Sequence, residues 1–169
     1  MIKNKKQITK SKQIPNIKKQ AAKIGIIVGS KSDLVVIEKA EKQLKDFGID
    51  YDITVASAHR DPEKVKEYSV SAENNYDLII AAAGMAAALP GTVAAHTTLP
   101  VIGIPIHSAG LGGHDALFAI VQMPPGVPVA SVAIDGAKNA AILATQILAL
   151  KYPELTNKLK EMKNQLKAG

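Results

Sequence analysis

From residue 24 onward, short aliphatic runs alternate with amphipathic stretches. The run 24–28 reads Ile-Gly-Ile-Ile-Val and stops at Gly29, the mark of a buried strand. Across residues 33–47, Val36, Ile37, Ala40, Leu44 and Phe47 fall close to a 3.6-residue period, and Gly48 ends that helix. Runs at 51–55, 78–83, 101–106 and 128–134 predict four more strands. Asp61-Pro62-Glu63 opens a second helix, with Asp as cap and Pro in the first turn. Small residues over 84–91 lead into a helix toward Thr98, a Gly-rich loop at 108–113 precedes a helix to about Gln122, and an Ala-rich helix covers 137–150. No internal repeat is visible. This βαβα order predicts an α/β fold, a five-stranded parallel sheet with helices on both faces. Ligands of such sheets sit outside the carboxyl ends of the strands, at a topological switch point. The loops at 29–33, 57–62, 84–91 and 107–113 all fall at that edge.

Beyond Pro153, Leu155, Leu159, Met162 and Leu166 recur at helical spacing and predict a C-terminal helix over about 154–167. An apolar stripe must pack on something. Because the sheet already has helices for both faces, a neighbouring subunit is the favoured partner over the helix's own domain.

Composition narrows the class. A chain of 169 residues suits one domain with a substantial core. There is no cysteine, which excludes disulfides, thiolate metal sites and cysteine nucleophiles. No apolar run reaches the 18 or so residues of a membrane span, and the N-terminus lacks the apolar core of a secretory signal. A cytoplasmic protein with no membrane partner is expected. The net charge of +6 belongs to one end: residues 1–23 hold eight lysines and no acid, so residues 24–169 carry about −2. Residues 1–23 are expected to be a disordered, solubilising extension. Nucleic acid is a poor partner, because this segment has no aromatic or Arg to stack on bases.

The candidate chemistry lies in the loops. In Gly29-Ser30-Lys31-Ser32-Asp33, the serine hydroxyls are donors, the free amides of the helix start face a ligand, and the Asp33 carboxylate can accept from ribose hydroxyls. The loop by itself reads equally as a helix start capped by Ser32 or Asp33. It is not a Walker loop. In Ser57-Ala58-His59-Arg60-Asp61-Pro62, Arg60 offers a fixed, bidentate charge for a phosphate, and His59 is a proton carrier at neutral pH. A lone histidine at a strand end is also an ordinary loop residue. The third loop, from Ala82 through Gly84, Met85, Ala86, Leu89 and Pro90 to Gly91, has no acid–base side chain and supplies close backbone approach and apolar walls. His107 ends the fourth strand and reads as a loop residue that can share a cleft with His59. The histidines show no ligand spacing, so no metal is expected.

The order of these motifs is more specific than any one of them. Gly-Ser-Lys-Ser-Asp, then Ser-Ala-His-Arg-Asp-Pro, then Ala-Ala-Leu-Pro-Gly, with Ile120-Val121-Gln122-Met123-Pro124 and Asn139-Ala140-Ala141, closely resembles the N5-carboxyaminoimidazole ribonucleotide mutase family of purine biosynthesis. The resemblance covers about residues 24–160 and favours the bacterial and archaeal mutase class, because Arg60 follows His59. It implies a three-layer α/β/α, flavodoxin-like fold, a homo-octamer and a ribonucleotide substrate, with no cofactor. It further implies that His59 moves the protons, that Ser30, Asp33 and Arg60 bind substrate, and that Ser32 and Ser57 add hydrogen bonds. Gly84, Met85, Ala86, Leu89 and Pro90 would enclose the migrating carboxylate.

Two positions depart from the family pattern. Ala88 stands where the family usually has His, and Met85 where it usually has Gly. Activity is expected to survive, since His59 and the anion-binding set remain. Competing readings are a direct aminoimidazole ribonucleotide carboxylase and a non-catalytic ribonucleotide-binding protein. A flavin carrier is weaker, because the candidate loops have no aromatic to stack an isoalloxazine ring.

Overall fold

The computed structural model describes residues 21–168. The lysine-rich extension expected at the N-terminus therefore lies almost wholly outside the described residues. The strands are β1 (Lys23–Val28), β2 (Asp50–Val55), β3 (Leu78–Gly84), β4 (Val101–Ile106) and β5 (Ala130–Ser131). The helices are α1 (Leu34–Asp46), α2 (Pro62–Ala72), α3 (Leu89–Ala94), α4 (His114–Val121), α5 (Ala137–Leu148) and α6 (Glu154–Ala168), with a 3-10 turn at Lys31–Asp33 ahead of α1. The sheet is parallel and five-stranded, as the alternation of runs predicts, and its order β2-β1-β3-β4-β5 is the flavodoxin-like one that the resemblance implies.

Side chains alternate across the sheet and build a core on each face. Ile24, Ile26, Val28, Leu78 and Ile80 meet Ile37 and Leu44 of α1 and Ala140 and Ala144 of α5 on one face. Ile27, Ile79 and Ala81 meet Val65 of α2, Val93 of α3 and Ile120 of α4 on the other. β1, β3 and β4 are buried on both faces, which is why they read as unbroken aliphatic runs. Gly103 lets α4 approach β4 closely: a Cβ there would collide with Ile120 Cγ2 and lie 2.9 Å from Val129 Cγ1.

Two expectations need correction. The run 128–134 forms a ladder only over Ala130–Ser131. Pro105 of β4 has no amide hydrogen to continue it, and the chain then stays beside β4 through single bonds, Val132 N to Gly103 O (3.2 Å) and Asp135 N to Pro105 O (2.9 Å). The apolar stripe of α6 packs mainly on its own domain: Leu155 and Leu159 are buried in the α1–α5 core and Met162 is packed against it. Lys158 Nζ fixes the helix by donating to Phe47 O at the end of α1 (2.5 Å). Only Leu166, the last of the series, is exposed.

Candidate active site

The sheet order makes β1 and β3 neighbours whose following segments diverge, to α1 on one face and α3 on the other. Over that divergence lies a cavity of about 540 Å³. It brings together Ser30, Ser32 and Asp33 after β1, Ser57, His59 and Arg60 after β2, Gly84, Met85, Ala86, Ala88 and Leu89 after β3, and His107 and Ser108 after β4. All but one of the site residues expected from sequence therefore line one space. Pro90 does not line it; it is buried in the first turn of α3.

The first loop is shaped by its own hydroxyls. Ser30 Oγ accepts from the Ser32 amide (3.4 Å) and lies in hydrogen-bond contact with Ser32 Oγ (2.9 Å), so Ser30 caps the 3-10 turn. Asp33 makes no side-chain cap to α1. The capping role open to Ser32 or Asp33 thus falls to Ser30, and the Asp33 carboxylate is left to face the cavity, accepting from Ser32 Oγ at 3.2 Å. Burial pushes the Asp33 carboxyl above its ordinary value of 3.8, against the lowering influence of Ser32, the backbone at Ser30 and the Arg60 charge.

The second loop is held at both ends. The Ala56 amide extends the ladder to Val28 O (3.0 Å), and Asp61 caps α2 by accepting from the Lys64 amide (3.3 Å). The Arg60 amide donates to Ser57 Oγ (3.4 Å), and Arg60 Nη2 donates to Gly29 O (3.1 Å). That last bond ties the second loop to the first and uses one guanidinium donor of five. His59 and Arg60 are both exposed at the mouth.

The third loop carries a backbone feature that sequence does not display. Met85 has φ +55°, in the region that favours glycine, and its side chain is exposed. A left-handed turn here is one that a glycine would make without strain. Asp135 lies outside the sequence reading, yet its carboxylate Oδ1 accepts from the His107 amide at 2.9 Å. Its Asp-Gly dipeptide is the turn signal that points to it.

Among the described residues, no three His, Asp or Glu side chains are grouped to hold a metal ion. A second cavity of about 380 Å³ sits at the opposite end of the sheet, between Lys23, Asp77 and Lys151. Asp77 there already accepts from the Lys23 amide, Lys151 Nζ and Tyr152 OH. The cavity carrying usable chemistry is therefore the one at the switch point.

The fold and site define a flavodoxin-like α/β protein whose switch-point cleft is lined by an imidazole, a guanidinium, a carboxylate and hydroxyls. The family model described as AIR carboxylase matches residues 23–169, and the chain belongs to that family. It is 57% identical over 146 residues to a protein of Pyrococcus abyssi named N5-carboxyaminoimidazole ribonucleotide mutase, covering 86% of this chain and 84% of that one. A Thermotoga maritima protein of the same name is 56% identical, covering 86% and 85%. The crystal structure of Treponema denticola PurE superposes with a TM-score of 0.80 at 32% identity, over 87% of this chain and 92% of that one.

Proposed function

We propose that this protein is an N5-carboxyaminoimidazole ribonucleotide mutase, moving the carboxylate of its substrate from N5 to C4 in purine biosynthesis. The observation that carries the reading is the single cavity where His59, Arg60, Asp33 and the serines meet a third loop without acid–base side chains. Residues 24–169 form the catalytic unit, and the enzyme works in the cytoplasm.

Arg60, held on Gly29 O, keeps four donors for the substrate phosphate, with Ser32 and Ser57 beside it. Asp33 and Ser30 accept from and donate to the ribose hydroxyls. His59 gives a proton to N5 as the N–C bond of the carbamate breaks, releasing carbon dioxide. The electron-rich C4 attacks that carbon dioxide, and His59 takes the C4 proton as the ring regains its aromaticity. The imidazole ends as it began, so the reaction consumes no net proton and needs no cofactor. The walls at Gly84, Met85, Ala86 and Leu89 keep the released carbon dioxide from escaping, and Pro90 supports them from within α3.

A homo-octamer is part of the same proposal. Its support is α4, which buries Ala116 and Ile120 but leaves Phe118 and Val121 exposed. From Ala116 to Val121 α4 is apolar on its outer side as well as its inner one, and such a stretch is ordinarily covered.

The test is conversion of N5-carboxyaminoimidazole ribonucleotide to its C4-carboxylated isomer without ATP or metal. Wild type should convert it, and folded His59→Asn should lose about 10²- to 10⁴-fold in kcat, the range general acid–base catalysis supplies. Equal rates in the two would sink the assignment. Carboxylation of aminoimidazole ribonucleotide with bicarbonate alone would instead indicate the direct carboxylase.

A further inference from the structure

We propose that His107 donates a hydrogen bond to the substrate's carboxylate, and that Asp135 is the positioning residue that holds His107 for this task. The inference rests on the mutase reading above. Sheet order places His59 after β2 and His107 after β4, on opposite sides of the β1–β3 divergence. The two imidazoles therefore face the ligand from different flanks. Ile106 is in register with Gly84, so His107 stands beside the third loop, where the carboxylate is expected. That loop offers Met85, Ala86, Ala87, Ala88 and Leu89, none with a polar side chain. A carboxylate moved out of water needs donors to replace its hydration. Ser108 is the other polar side chain on that flank, and its hydroxyl is directed at Asp115 (3.3 Å). The His107 ring is left as the side-chain donor.

The backbone around His107 is braced for a fixed position. Asp135 accepts from its amide at 2.9 Å while holding φ +54°, a left-handed conformation that Asp tolerates better than most residues. The turn that Asp135 makes with Gly136 thus anchors one cleft residue through its main chain. Gly113, at φ +85°, packs against the same point: a Cβ there would lie 3.1 Å from His107 Cα and 2.8 Å from Ile134 Cγ2. His107 thus holds the carboxylate, while proton transfer stays with His59.

The experiment measures affinity for two ribonucleotides differing only by the carboxylate: the C4-carboxylated product and aminoimidazole ribonucleotide. In His107→Ala, the carboxylated ligand should bind about tenfold more weakly, the scale of one hydrogen bond to a charged group. The uncarboxylated ligand should stay within about twofold. His107→Gln, which retains an N–H donor, should recover most of the loss, and Asp135→Ala should reproduce it in part. A loss shared equally by both ligands makes His107 a structural residue and overturns the proposal, as does no loss at all. Wild-type conversion of substrate is measured alongside. If wild type converts substrate but His107→Ala binds both ligands normally, the His107 assignment alone falls. If wild type binds neither ligand, the mutase reading falls and takes this proposal with it.

Discussion

At the scale of single residues, the site joins charge with burial. Asp33 is the clearest case: its carboxyl is buried, bonded to Ser32 and near Arg60, and desolvation is the largest influence, raising it above 3.8. In the window between the unfolded and folded values, the folded state binds more protons than the unfolded one. Stability must then fall as pH rises through that window, and the cost is fully present at neutral pH. Asp33→Asn should accordingly melt higher than wild type at pH 7, with the advantage vanishing as pH falls below 3.8. The same variant should bind ribonucleotide more weakly. Paired melting curves across pH check the first claim, and an advantage that persists unchanged into acid would refute it.

At the scale of elements, closeness is bought by small residues. α4 rests on β4 through Gly103, against Ile120 and Val129. Gly103→Ala should push the helix outward and cost about 1–3 kcal/mol, the usual penalty of an overpacked core. Denaturant titration measures it; a change below about 0.5 kcal/mol would mean that the helix shifts freely. Much of this layer was legible in advance. β1, β3 and β4 are buried on both faces and appear as plain aliphatic runs, and Asp61-Pro62 announced the start of α2. β5 was overestimated because apolar composition does not reveal that its neighbour's Pro105 cannot donate. For the cleft, residue types were legible and backbone angles were not. His59, Arg60 and Asp33 stand out by chemistry, whereas Asp135 bonds an amide 28 residues away, which no local pattern encodes.

At the scale of the whole molecule, the outward face of α4 is the feature the fold leaves unresolved. Phe118 and Val121 are exposed, with Leu111 exposed just ahead of the helix. Phe118→Glu should therefore lower the assembly mass seen by sedimentation while leaving far-UV circular dichroism unchanged. An unchanged mass would remove the support that α4 lends to the octamer. The parallel sheet has a second consequence, for handling the protein. The described chain enters the sheet at Lys23, at the amino end of β1, and the cleft opens past Val28 at the other end. A strand of that length separates them by roughly 20 Å. An affinity handle or surface tether joined directly ahead of Ala22, in place of the residues before it, would meet the sheet at the end away from the cleft, so an immobilised subunit should present its reactive face to the flowing solution.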